Sequence, residues 1–175
     1  AILAILFSFT YPIQASQMSL ISGFTIGIPG FLLALEKNRA RIEGDFVETV
    51  IEQALPAALT NLLSVLFLVV LGPFLGLSQG EISTISIYLL ALIGFTKVYQ
   101  LSLPFNHVKL GIILLNVAGF SLSVFVFSSI FNLSRLHFTG WILTLVLGLV
   151  MEGVLWLMNR LVYNLVTHRH KSRIK

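Results

Sequence analysis

"QALPAALTNLLSVLFLVVLGPFLGLSQG", Gln53 to Gly80, runs its whole length without a charged residue. A helix crosses the hydrocarbon core of a bilayer with about 20 mostly apolar residues, and the apolar part of this stretch reaches that length before Gly72, Pro73, Gly76 and Gly80 turn the chain. Three more charge-free runs follow, Ile82–Thr96, Leu110–Ser134 and Leu136–Met151. Working outward, the 175 residues are 57% hydrophobic and 10% charged, with a mean hydropathy of +0.96. A soluble domain carries roughly 25% charged residues to cover its surface. The expected fold class is therefore an all-α membrane protein, a polytopic helical bundle with one truncated and five full transmembrane helices.

The chain opens on "AILAILFSF", directly inside apolar sequence. It has no basic leader and no cleavage site, so it does not read as a signal peptide. The expectation is the tail of a helix, Ala1–Phe9, that begins upstream. Pro12 sets an uncharged turn at Thr10–Gln17 by disfavouring the helical conformation at Tyr11. Full spans are expected at about Ser16–Leu35, Ile51–Leu71, Ile82–Leu101, His107–Phe131 and Thr139–Val166. "EKNRARIEGDFVETVIEQ", Glu36–Gln53, is the most charged segment and belongs outside the bilayer. Gly44-Asp45 followed by Glu48 resembles a helix start with acids in its first turn. The resulting organisation is 1–35, 36–52 as a cytoplasmic loop, 53–166 as a supporting bundle, and 167–175 as a basic tail.

The positive-inside rule orients these spans. Lys37, Arg39, Arg41, Lys97, Lys109, Arg160, Arg169, Lys171, Arg173 and Lys175 fall on one side, leaving only Arg135 of the chain's 11 basic residues on the other. The C-terminus is expected in the cytoplasm. The same placement assigns the excess of basic over acidic residues to membrane orientation, and no nucleic-acid partner is expected. With no cysteine, disulfides, thiolate chemistry and sulfur-ligated metals are excluded too. No Walker-type loop, nucleophile elbow or zinc-binding spacing occurs.

Glu152 is an acid deep in a span, where an ionisable side chain marks an ion path or a buried pair. Gly148, Glu152, Trp156, Asn159 and Tyr163 recur at steps of three or four and share one helix face. The favoured reading is a protonated Glu152 that hydrogen-bonds a neighbouring helix; the other is an ion path. For Asn61, Ser64, Asn116 and Ser123, interhelical hydrogen bonding is expected. Lys97 is expected to snorkel to the interface. His168 and His170 have no third ligand and read as part of a basic tail attracted to anionic lipid. Asn132-Leu-Ser134 fits a glycosylation sequon, a short motif that occurs by chance.

"SGFTIGIPGFLLALEKN", Ser22 to Asn38, places three glycines and a proline inside an apolar span. Pro29 brings no N–H, and its ring crowds the carbonyl four residues back, that of Thr25. The carbonyls of Thr25 and Ile26, with the hydroxyls of Ser22 and Thr25, are hard oxygen ligands suited to cations. Two readings are open on the residues alone. One is an unwound helix lining an ion site; the other is a proline-kinked packing helix.

The stretch "YPIQASQMSLISGFTIGIPGFLLALEKN" resembles the fifth-to-sixth transmembrane segment of cation-transporting P-type ATPases, most closely a bacterial subfamily. The order of elements that follows, a charged loop and four further spans, extends the resemblance through the chain. It implies that Ser22, Thr25, Ile26, Gly27 and Pro29 belong to the ion pathway, with no catalytic residue and no certain metal ligand in this chain. Calcium and sodium pumps place an acid directly before the glycine, where this chain has Ile26. A carboxylate ligand would come from the fourth or fifth span, or from Glu152. The resemblance further implies ATP hydrolysis through an aspartyl-phosphate, with ATP and Mg²⁺ as the parent's cofactors and none in this part. The implied partners are a transported cation, calcium first, the lipid bilayer, and the N-terminal transmembrane and cytoplasmic domains of the same polypeptide. The implied location is a bacterial plasma membrane. An ATP-independent channel or permease domain and a non-transporting membrane scaffold are the rival functions.

Overall fold

The computed structural model describes residues 12–35, 46–103 and 106–173. The helix expected at Ala1–Phe9 and most of the charged segment after Leu35 lie outside them. The described elements are α1 (Ala15–Ser22), a π-helical turn (Gly23–Gly27), α2 (Ile28–Ala34), α3 (Phe46–Leu71), a 3₁₀ turn (Pro73–Leu75), α4 (Gln79–Leu101), α5 (His107–Val126) and α6 (Phe138–Arg173). There is no strand among the described residues. Among the described residues, five stretches are long and apolar enough to cross a membrane: Ala15–Ala34, Val50–Leu71, Gln79–Leu101, His107–Val126 and Phe138–Asn164. The chain is an all-α, multi-pass membrane bundle, and its spans imply a lipid bilayer around it.

Helix bounds depart from the sequence reading in two places. α3 begins at Phe46, at the helix start that Gly44-Asp45 marked and ahead of the span expected from Ile51, and carries Pro56 inside it. That proline leaves the carbonyl four residues back without its helical donor, yet the helix runs on. The Thr60 hydroxyl donates to the Pro56 carbonyl at 2.8 Å, and Ser64 donates to that of Thr60 at 2.8 Å. α5 stops at Val126, short of Phe131, because the chain folds back: Leu133 N–H donates to the Ser128 carbonyl at 2.9 Å, and Asn132 takes a left-handed φ of 48°. Asparagine tolerates that conformation better than most residues. α6 continues to Arg173, so most of the segment expected as a tail is helical.

α4 is the central helix. Of its apolar window 56% is buried inside the bundle, against 17–22% for the other four spans. One side of α4, at Ile87 and Ala91, packs with Leu20 and Ile21 of α1 and Phe120 of α5. Another, at Ile82, Ile85 and Leu89, packs with Leu68 of α3 and Leu147 of α6. Ile93 completes the seam with Met151 and Leu155. Burial all round suits a helix whose hydroxyls are already satisfied: Thr84 and Ser86 donate to the carbonyls of Gly80 and Ile82 at 2.8 and 2.7 Å. Lipid tails are as apolar as leucine, so helix association in a membrane rests on close packing at small residues. Gly94 of α4 and Gly119 of α5 are those residues here.

Candidate functional site

The Gly23–Gly27 turn answers the question raised by Pro29, and the answer is a change of register. Gly23 N–H donates to Ser19 and Leu20 carbonyls, whereas Ile28 N–H donates to the Gly23 carbonyl, five residues back. Ser22, Gly27 and Ile28 all keep right-handed helical angles. The sequence reading left an unwound stretch and a proline-kinked helix open; the chain stays helical from Ala15 to Ala34 and widens by one residue per turn. Widening is a physically economical response, because the ring of Pro29 no longer has to sit against the carbonyl four residues back. One donor is still lost. The carbonyl that Pro29 would have served, Thr25 in an α register or Phe24 in the π register, receives nothing from it.

The wide turn presses consecutive side chains into two helices. A Cβ placed on Gly94 of α4 would stand 2.5 Å from Thr25 Cγ2, and one on Gly119 of α5 would stand 2.7 Å from Phe24 Cε1. Only glycine admits contacts this close. The Phe24 ring meets Phe120 edge-on at 6.1 Å, and Phe95 meets the same ring at 5.5 Å.

Among the residues assigned to the pathway, Thr25 is half-buried and Pro29 buried, while Ser22, Ile26 and Gly27 are exposed on the surface of the bundle. Ile26 is 71% exposed. The Thr25 hydroxyl donates to the Ile21 carbonyl at 2.8 Å, and that of Ser22 to the Ser19 carbonyl at 3.3 Å. Each hydroxyl thus spends its proton on its own helix and retains lone pairs that can accept. No group of three or more carboxylate or imidazole side chains gathers among the described residues.

Glu152 belongs to a different seam. Thr96 Oγ1 donates to Glu152 Oε1 at 2.7 Å, joining α4 to α6. Gly94, which receives Thr25, lies two residues from Thr96 on α4, so the two point about 200° apart around that helix. The wide turn and Glu152 therefore stand on opposite faces of α4. Of the helix face expected around Glu152, Gly148 takes Leu92, and Asn159 accepts from Lys97 Nζ at 2.7 Å. Trp156 instead lies outside the seam, 61% exposed, with the Arg160 guanidinium 5.5 Å from its ring centre. Lys97 is held by Asn159 rather than only reaching for the interface. Ser64 and Asn116 bond to their own helices, where bonds between helices were expected. The side-chain oxygens of Asn61 and Asn116 are buried without a partner.

Sequence reasoning missed a polar clasp at the opposite end of the bundle. Gln17, fully buried, donates to the Phe131 carbonyl at 2.9 Å and accepts from Ser83 at 2.8 Å. Asn132, of the possible sequon, donates to Gln14 Oε1 at 2.9 Å. Beside it Ser134 N–H donates to Thr84 Oγ1 at 2.9 Å, and His137 stands 3.1 Å from Glu81. The signal was present: an uncharged glutamine inside an apolar helix needs a partner.

Comparison with known proteins agrees with the architecture. This chain resembles a cation-transporting ATPase. It is 37% identical over 110 residues, 63% of its length, to the "Probable cation-transporting ATPase exp7" of Streptococcus pneumoniae. The chain spans 14% of the length of that relative. No family model matches, and no solved structure matches. With the five apolar helices, the similarity supports a membrane-domain piece of a cation pump.

Proposed function

We propose that this chain forms part of the membrane domain of an ATP-driven cation pump, and that the turn at Gly23–Gly27 contributes oxygens to the cation's path. The observation that carries the reading is the wide turn itself, ending two residues before Pro29, in a chain similar to a cation-transporting ATPase. A lost backbone donor at bilayer depth persists where something other than lipid meets the freed carbonyl. The exposed side of the turn, with Ser22, Ile26 and Gly27, is where further spans of the longer polypeptide would complete the site. Main-chain and hydroxyl oxygens are hard ligands, and calcium is the first candidate cation. ATP, Mg²⁺ and the phosphorylated aspartate belong to the rest of the pump, in a bacterial plasma membrane with the basic end of this bundle in the cytoplasm.

The experiment is ATP-driven cation uptake by the full-length protein in inverted vesicles, wild type against Thr25→Val. Valine keeps the packing against Gly94 and removes the hydroxyl oxygen. Uptake is expected to fall while the protein still inserts; unchanged uptake removes Thr25 from the path. Uptake that persists without ATP would replace the pump with an ATP-independent permease.

A further inference from the structure

At the end of the bundle that carries Lys97 and Arg160, α3, α4 and α6 leave a notch open to the surface. Its space of about 210 Å³ is lined by Glu52 and Gln53 of α3, Lys97 and Gln100 of α4, and Asn159 and Tyr163 of α6. Every one of these side chains carries polar atoms, in a chain that is 57% hydrophobic. All six stand near an end of their apolar spans, which close at Val50, Leu101 and Asn164. Asn159, the farthest in, is about 8 Å of helix from its end, and the headgroup layer on each side of a bilayer is about 5–8 Å deep. The notch therefore lies at the level of the lipid headgroups.

Two opposite charges face this notch without meeting. Lys97 Nζ donates to Asn159 Oδ1 at 2.7 Å, and Asn159 Nδ2 reaches Gln100 Oε1 at 3.5 Å. The partner of the ammonium is a neutral carboxamide, which orients the charge without neutralising it. Among the described residues no ion pair joins Lys97 to Glu52, although both are half-buried in the same lining. A half-buried ion is costly until a counter-charge reaches it. The notch thus offers one place for an anion and one for a cation across a single gap.

Beside it, Tyr163, Trp156 and Leu149 follow at seven-residue steps along α6 and are 67%, 61% and 78% exposed. Seven residues are close to two helical turns, so the three form one stripe running from the notch toward the middle of the bilayer. The Arg160 guanidinium, 5.5 Å from the Trp156 ring centre, adds positive charge on the same side. Tryptophan and tyrosine at this level are interfacial anchors.

We propose that the notch binds an amine-bearing phospholipid, with its phosphodiester against the Lys97 ammonium, its own ammonium against the Glu52 carboxylate, and an acyl chain along the Tyr163–Trp156–Leu149 stripe. A purely anionic headgroup satisfies Lys97 but sets its charge against Glu52. A choline headgroup brings no N–H to Glu52, and inorganic phosphate brings neither amine nor chain. The carboxamides of Gln53 and Gln100 both donate and accept, and so suit either half of the headgroup. No residue of the wide turn lines the notch, so the site stands independently of the cation path.

The test is native mass spectrometry of the full-length protein, stripped of lipid in detergent and offered phosphatidylethanolamine, phosphatidylglycerol and phosphatidylcholine in equal amounts. One phosphatidylethanolamine is expected to stay bound in preference to the other two. Lys97→Gln should weaken its retention about tenfold, the effect of losing a charge-assisted hydrogen bond. Glu52→Lys leaves the Lys97–Asn159 bond in place and should turn the preference to phosphatidylglycerol. Equal retention of the three lipids by the native protein overturns the proposal, and so does a preference for phosphatidylethanolamine that survives Glu52→Lys. Arg135→Gln, remote from the notch, should leave the preference unchanged; its loss there would assign the selectivity to overall charge and overturn the site. Displacement of the lipid by inorganic phosphate at equal concentration would make this a free-phosphate site and overturn it as well. None of these readouts involves cation uptake, so they leave the Thr25→Val experiment to be judged separately.

Discussion

Ser83 and Gln17 are bonded side chain to side chain at 2.8 Å, both buried, across the contact between α4 and α1. The same carboxamide donates to the Phe131 carbonyl at 2.9 Å, so one glutamine ties the start of the proline-bearing span to the central helix and to the turn after α5. Nothing charged is involved. A neutral network of this kind fixes helix ends inside lipid without the cost of burying ions.

Replacing Gln17 by leucine is expected to destabilise the bundle, since it strips Ser83 and the Phe131 carbonyl of a partner. Hydrogen bonds between membrane helices average about 0.6 kcal/mol and reach about 1.7, so the loss should be about 1–2 kcal/mol. Unfolding of the purified protein in mixed micelles measures it. A double-mutant cycle with Ser83→Ala should return a coupling below about 1.7 kcal/mol. Zero coupling would mean that Gln17 acts through its bonds to Gln14 N–H and to the Phe131 and Asn132 carbonyls instead.

The glycines that receive the wide turn should differ in their tolerance of a methyl group. At Gly119 the obstacle is the ring edge of Phe24, 2.7 Å from an added Cβ, so Gly119→Ala should lower stability and Phe24→Leu should restore part of it. At Gly94 the obstacles are Thr25 Cγ2 and Cβ at 2.5 and 2.7 Å, and no rotation about the side chain moves a Cβ. Gly94→Ala must therefore push the wide turn and α4 apart, with a larger loss of melting temperature and of transport. Gly23→Ala and Gly30→Ala meet no atom within 4 Å and serve as controls.

These glycines show what the sequence made legible. The spans were readable, because charge-free runs of bilayer length have few other uses. Glu152 was readable as a paired residue, since an acid at that depth demands a partner, although Thr96 could not be singled out from pattern alone. The register shift at Gly23–Gly27 was not readable. Proline removes one donor whether the helix unwinds or widens, and tertiary contacts at Gly94 and Gly119 choose between them. Ser64 and Asn116 were misjudged for a related reason: serine and asparagine in a helix can satisfy themselves on the carbonyl four residues back, and composition does not say which they do.

The start of α4 offers a test outside the deep membrane. Ser78 N–H donates to Glu81 Oε2 at 3.0 Å, while Glu81 N–H approaches Ser78 Oγ at 3.3 Å, a reciprocal cap on the central helix. Ser78→Ala should cost about 1 kcal/mol, read as faster amide exchange confined to the first turn of α4. Ser78→Asp, which can still accept from the helix N–H groups but repels Glu81, should fall between wild type and alanine.

Pro29→Ala separates the two accounts of the wide turn. Alanine supplies the missing N–H and removes the ring, so the span is free to close into an ordinary α register. Proline in a helix interior is about 3 kcal/mol less favourable than alanine; the cavity left where the buried ring stood offsets part of that gain. If the turn serves the cation, the variant should unfold at a higher temperature and transport less, as expected where strain is kept for function. Amide exchange at residues 23–30 should slow as the register closes. If Pro29 only shapes packing, the variant loses stability and transport together, because α2 and α5 no longer fit. Transport at the wild-type rate with closed-register exchange would remove the turn from the pathway altogether.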